Sequence, residues 1–330
     1  MLSLNPYWGV NFFGFLWTFI SRIPLLISGN CQMVQDELQI FVLSLMAISC
    51  SLIGVVMMLK KTTMLANSLS HTILVGIVIA YLLSFSSQGG FHPFSLSIKT
   101  FIIAALISAL ITTFLSEFLT KSLKLQEDAS IGLVFTFLFS LGIVAVTVFS
   151  RNAHIGTEVV MGNVDALVSK DLLWLLFIAA VNISLFILCY KEYLLTTFDP
   201  VFAKFMKIST TFFSYLLMLQ LSITVIGSFR IVGVIMVLSY IIGPALLARL
   251  FFHQFTKLLL FAPLFGIVIS IIGVALTRHF LSMYQMPLST AGMCIAVLAV
   301  SYFLALIIKK RKKSWQLPSL DQQDQSEKAL

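Results

Sequence analysis

Long apolar runs separated by short polar connections set the pattern of this chain. A helix needs about 20 predominantly apolar residues to cross the hydrocarbon core of a bilayer. Runs of about that length, with few or no charges, occupy 38–59, 101–119 (with Glu117 inside), 131–149, 172–190, 208–229, 231–248, 258–277 and 286–308. A shorter run at 70–85 holds His71 and follows a polar lead-in from Thr62, so it reads as a ninth span. A further run at 7–27 is interrupted by Arg22 and Pro24. It reads as a tenth span or as a helix lying in the membrane interface. The expected fold class is all-α: a polytopic membrane helical bundle with about nine to ten transmembrane helices. The units expected are an N-terminal extension at 1–36 with one extra hydrophobic helix, a membrane domain at 37–309, and a tail at 310–330. The tail is basic, then rich in Gln, Ser and Asp, and is expected to be disordered.

Composition removes the soluble alternative. Of 330 residues, 59% are hydrophobic and 10% are charged, where soluble domains carry about a quarter charged. Mean hydropathy is +1.03. The net charge of +8 points away from nucleic acid here, because much of it sits between apolar runs. Basic clusters at span ends orient a chain with those ends on the cytoplasmic side. With Lys60-Lys61 inside, alternation also places Lys121 and Lys124, Lys191 to Lys207, Arg249 with Lys257, and Lys309–Lys313 inside. This holds if Phe229-Arg230 forms a tight outside turn. His92, His154 and His279 then fall in outside loops. No basic stretch precedes the first apolar run, so no cleaved signal peptide is expected. None of Cys31, Cys50, Cys189 and Cys294 has C-x-x-C spacing, and three lie in apolar runs, so they read as small packing residues.

Four interruptions carry candidate chemistry. In Asn67-Ser68-Leu69-Ser70-His71, Asn67 and His71 stand four apart, on one helix face with Cβ atoms about 6 Å apart, and Ser70 lies nearby. Polar groups in a span face a protein interior or a water-filled path. Neutral imidazole is a ligand for zinc, manganese or iron, but from this stripe alone the favoured reading is that His71 hydrogen-bonds a neighbouring helix. In the second, Asp199 suits an N-cap and Pro200 the first helical position. The short helix that should follow places Val201, Phe202, Phe205 and Met206 on one apolar face, to be buried on the bundle itself or on a partner protein. Glu127-Asp128 opens the third, Glu127 to Gly132, where acidic groups complement the macrodipole of the next helix. Gly243-Pro244 inside a span is the fourth, a candidate helix break. The chain has no G-x-x-x-x-G-K-[ST] loop and no H-E-x-x-H motif, so ATP-driven work needs a second polypeptide.

Together these blocks resemble the permease subunits of bacterial metal-ion ABC transporters, the zinc, manganese and iron importers, over about 38–308. Lys60-Lys61 leading to Leu69-Ser70-His71 is similar to that family's basic pair and D-A-L-S-H-A. Glu127 to Gly132 is similar to its E-D-x-A-I-G. Phe198-Asp199-Pro200 with Ala203 resembles its cytoplasmic coupling segment. Gly233 followed by Gly243-Pro244-Ala245 to Arg249 resembles its G-V-L-L-V…P-A-A-T-A-R-L. Asn67 stands where the family has Asp, and Val75 where it has Pro. Val201 and Lys207 stand where it has an acidic residue and Gly.

The resemblance implies a transport subunit that catalyses no chemistry and binds no permanent cofactor, with a divalent metal ion as cargo. It also implies a cytoplasmic ATP-binding subunit, an extracytoplasmic metal-binding protein and a second permease chain as partners, in the lipid of a bacterial inner membrane. His71, Asn67 and Ser70 would line the path, His71 as a metal contact, and the segment from Asp199 to Met206 would couple to the ATPase. The alternative is a secondary transporter driven by an ion gradient. It would need ionisable groups deep in the bilayer, and few are present.

Overall fold

The computed structural model describes residues 5–28, 32–69, 71–72, 75–76, 98–149 and 164–316. Among them all regular structure is helical. The helices are α1 (Phe12–Ile27), α2 (Gln35–Lys60), α3 (Ile98–Ser122), α4 (Glu127–Phe149), α5 (Ser169–Leu188), α6 (Tyr190–Phe198), α7 (Pro200–Phe205), α8 (Thr210–Val232), α9 (Val234–Phe251), α10 (Phe255–Tyr284) and α11 (Thr290–Gln316). A 3-10 turn, Val164–Ala166, precedes α5. Residues 63–69, 71–72 and 75–76 are helical too, and the rest of the run at 70–85 lies outside the described residues. The runs at 38–59, 101–119, 131–149 and 258–277 fall within α2, α3, α4 and α10, and those at 172–190, 208–229, 231–248 and 286–308 fall mostly within α5, α8, α9 and α11, overrunning their ends by two to four residues. Among the described residues, seven helices are long and apolar enough to cross a membrane. The chain is a polytopic helical membrane bundle.

Helix α2 forms the centre and packs against α5, α6, α8, α9 and α10. Small residues let its neighbours come close, which is how helices associate where lipid offers no hydrophobic drive. A Cβ on Gly54 would lie 1.7 Å from the carbonyl oxygen of Ile241 in α9, and one on Gly266 of α10 would lie 2.8 Å from Ala47 Cβ. Helix α11 closes one flank against α9 and α10, while α3 reaches the bundle through α8 and carries α4 outward. Helix α1 packs on α10.

Two boundaries differ from expectation. The expected turn at Phe229-Arg230 lies within α8, which runs on to Val232. The chain breaks at Gly233, whose φ of +94° suits glycine because a Cβ would be strained there. Helix α11 continues through Lys309–Lys313 to Gln316, so the residues after 310 begin as helix. Residues 317–330 lie outside the described residues.

Contacts sort the helix ends into two sets. At one end α6 meets α2, the Tyr190 and Thr256 hydroxyls share a hydrogen bond of 2.7 Å, and the Phe198 ring meets that of Phe255. The basic segments around Lys60, Lys191 and Lys257 gather there. At the other end Asn5 Nδ2 donates to Asp36 (2.8 Å), Gln39 Nε2 to Asp165 (3.2 Å) and the Thr290 hydroxyl to Asp165 (2.5 Å). The Arg278 guanidinium lies 3.8 Å from Asp36.

Gly54→Ala should cost about 2–3 kcal/mol, as overpacking a tight core does, read as a lower thermal midpoint in detergent. Gly132→Ala, where a Cβ meets open space, should leave the midpoint unchanged or slightly raised.

Candidate translocation path and coupling helix

The segment between α5 and α8 is held by aromatic packing. Tyr193 in α6 is fully buried between the rings of Phe186 (5.0 Å) and Phe213 (5.8 Å), and its hydroxyl donates to Gln220 Oε1 at 2.5 Å. Burial pushes its phenol well above the ordinary value, with a smaller contribution from Cys189. Tyr193 therefore remains a neutral donor. The next turn starts α7 as its sequence predicts. Asp199 Oδ1 accepts from Phe202 N at 2.9 Å, and Pro200 takes the first helical position.

Helix α7 turns Ala203, fully buried, toward the bundle. Its apolar face points away: Val201 is 66% exposed and Phe205 81%, with Phe202 and Met206 exposed beside them. Of the two burials open for that face, the chain's own bundle does not supply one. Lys207 follows with φ +61°, a left-handed conformation that glycine adopts without strain. The Ser209 hydroxyl then accepts from Phe212 N at 3.3 Å and starts α8.

The second group of residues lies where 63–76 meets α3 and α4. Thr72 is buried and hydrogen-bonds the Thr112 hydroxyl of α3 at 3.0 Å. His71 is half-buried, 5.3 Å from both the Phe135 and Phe139 rings of α4. Asn67 is exposed one turn earlier, and Ser68 beside it is buried. The open side of this stretch thus carries Asn67 and the packed side Ser68 and Thr72, while His71 lies half-buried against the α4 rings. Ser70 lies outside the described residues, as do His92, His154 and Cys31. Among the described residues no group of three His, Cys, Asp or Glu side chains could hold a metal ion.

Gly243-Pro244 does not break its helix. Helix α9 runs continuously from Val234 to Phe251 with Pro244 buried inside it. Proline removes only the bond that would have reached the Tyr240 carbonyl, and the Tyr240 side chain is fixed by a hydrogen bond to Ser270 at 2.9 Å. Gly243 instead gives Leu298 of α11 room: a Cβ there would lie 2.5 Å from its Cδ2. His279 likewise lies within α10, which extends beyond it to Tyr284, and not in a loop.

Sequence reasoning missed a polar stripe on α8. Gln220, Thr224 and Ser228 are all buried, and Thr224 accepts from Asn182 Nδ2 of α5 at 2.7 Å. Their spacing of four inside the run at 208–229 was the available signal.

The sequence model described as "ABC 3 transport family" matches residues 35–309, from the first residue of α2 to the basic part of α11. The chain belongs to this family. A Chlamydia trachomatis protein described as a "Probable metal transport system membrane protein" is 35% identical over 318 residues, covering 96% of this chain and 97% of its own length. The Bacillus subtilis "Manganese transport system membrane protein MntD" is 30% identical over 276 residues, covering 80% of this chain and 88% of its own. Among solved structures, PsaBC from Streptococcus pneumoniae in complex with Fab shares the fold, with a TM-score of 0.70 at 19% identity, over 92% of this chain and 100% of that one.

Asp199→Ala should cost local stability of about 1 kcal/mol, as loss of an N-cap does, seen as faster hydrogen exchange across 200–206. Lys207→Gly should act oppositely, relieving up to about 1 kcal/mol of left-handed strain.

Proposed function

We propose that this chain is the membrane-spanning permease subunit of an ATP-driven importer for a divalent transition metal, with residues 37–309 as the permease domain, in a bacterial inner membrane. The observation that carries this reading is the exposed apolar face of α7. It stands at the end of the bundle where the basic segments gather, the cytoplasmic end by the charge bias. A rigidly capped helix with an outward Val201, Phe202, Phe205 and Met206 face fits a groove on a partner. An ATP-binding subunit is that partner, since the chain has no phosphate-binding loop of its own. Closure of two such subunits would move α6 and α7 and, through Tyr193 and Gln220, lean on α8.

The path forms between this chain and a second permease, identical or paralogous, and an extracytoplasmic metal-binding protein delivers the ion. Asn67, exposed, and His71, half-buried beside α4, line the path, and Ser70 belongs to the same motif. His71 contributes a nitrogen ligand suited to zinc, manganese or iron. The Bacillus subtilis relative's description supports manganese within that class. An ion-gradient mechanism needs ionisable groups deep in the bilayer. Glu117, the acidic residue of the run at 101–119, is ion-paired with Lys121 near the end of α3.

Phe202→Asp with Phe205→Asp should abolish co-purification of the ATP-binding subunit and ATP-dependent metal uptake, while the variant still inserts and folds. Uptake that persists without any ATPase would refute the reading. His71→Ala should lower uptake at least tenfold, since one imidazole ligand is worth more than about 1.4 kcal/mol, with the assembled complex intact. Unchanged uptake would return His71 to a packing role.

A further inference from the structure

We propose that α1 does not cross the membrane but lies in the outer membrane interface, clamped to Glu37 and anchoring the bundle in the headgroup region of the bilayer. The proposal uses only the chain's membrane-spanning character and is independent of its cargo and ATPase.

The chain enters and leaves α1 at the same end of the bundle. Before the helix, Asn5 donates to Asp36, the Tyr7 hydroxyl donates to Glu37 Oε1 at 2.8 Å, and the Tyr7 carbonyl accepts from Arg278 Nε at 3.4 Å. Near the end of the helix, Arg22 Nε donates to the same Glu37 oxygen at 2.5 Å, and Arg22 also reaches the Gln32 carbonyl at 3.3 Å. Glu37 is wholly buried, and its other oxygen accepts from Val34 N at 2.9 Å. One carboxylate therefore holds both the lead-in to α1 and its last third. A crossing helix would carry its flanks to opposite ends, about 30 Å apart.

The depth fits an interfacial position. Phe19 of α1 meets the Phe41 ring, one turn below Glu37, at 6.3 Å. The 26 residues of α2 are about 39 Å long at 1.5 Å per residue, so about 4–5 Å, just under one turn, extends beyond each side of an about 30 Å core, which puts Glu37 at its edge.

The outward face identifies its occupant as lipid. Tyr7 and Phe15, their rings tilted against each other 4.6 Å apart, and Phe19 are buried against the bundle. The opposite side carries Phe13, Trp17 (76% exposed) and Ile20, with Trp8 (64% exposed) just before the helix. Within α1 that outer face has no charged side chain, and Trp8 carries the Arg278 guanidinium over its ring, 5.5 Å from the centroid. The one charge in α1, Arg22, is turned inward to Glu37. A helix apolar on both sides is unsuited to water. A protein partner would be expected to find polar groups to orient it, and this face offers chiefly rings. Tryptophan pairs an apolar ring with one N–H, the combination enriched at headgroup level.

The test uses the full-length protein in phosphatidylcholine vesicles. Trp174→Phe with Trp315→Phe leaves Trp8 and Trp17 as the indoles. Their fluorescence is measured with lipids brominated near the headgroup end or near the methyl end of the chains. Quenching should be at least about twofold stronger from the shallow label, as burial of about 5–10 Å into the headgroup boundary requires. Equal or stronger quenching from the deep label would show a spanning helix. No quenching from either would show a face covered by protein or water, and both outcomes overturn the proposal. Should that variant fold poorly, Trp8→Phe with Trp17→Phe in the otherwise unchanged chain supplies the same depth by difference.

Discussion

Helix α2 can occupy the middle of this bundle because its side chains are small where neighbours cross it. Lipid tails are as apolar as leucine, so helices in a bilayer gain little from hiding apolar surface against each other. What holds them is close contact. At Gly54 the backbone of α9 comes so near that even a methyl group would collide with Ile241, and at Ala47 the absent side chain of Gly266 lets α10 close in. The other elements are arranged around this contact: α9 and α10 bring α11, and α8 brings α3 and with it α4.

Polar groups in such a bundle must find partners within the protein. Asn182 with Thr224, Thr72 with Thr112, and Tyr240 with Ser270 each tie one helix to another inside the apolar region. At the end remote from the basic segments the same need is met by charge. Glu37 is buried, and removing one partner of a buried pair is far costlier than the pair is stabilising. Arg22 and Tyr7 therefore fix the N-terminal extension firmly, although the family match begins only at residue 35.

The opposite end uses a different device. Helix α7 is short, and its rigidity comes from the Asp199 cap, the proline at its start and the buried Ala203. Behind it Tyr193 is wedged between rings and hydrogen-bonded to Gln220, which continues into the buried stripe on α8. The exposed face of α7 is thus linked through Asp199, α6 and Tyr193 to the centre of the bundle. The proposed coupling role would use that link, because interfaces and packed cores shift between discrete arrangements and do not deform continuously.

From sequence alone, the long helices, the class of fold, the cap and apolar face of α7, and the motif order of the family were legible. Each depends on local chemistry: length of apolar run, spacing on one helix turn, or the preference of Asp and Pro for a helix start. Tertiary structure decided the rest. Gly243-Pro244 looked like a break, yet α9 continues through it, because the glycine serves Leu298 on another helix. Phe229-Arg230 looked like a turn, but the chain reverses its conformation at Gly233, where a positive φ is affordable. The α8 stripe stayed hidden until Asn182 and Tyr193 came to face it. The course of α1 was open because its apolar run is compatible with crossing or lying flat. Only Glu37, reached at once by Tyr7 before the helix and Arg22 in its last third, distinguishes them, and no spacing along the chain announces which distant side chains will share one carboxylate.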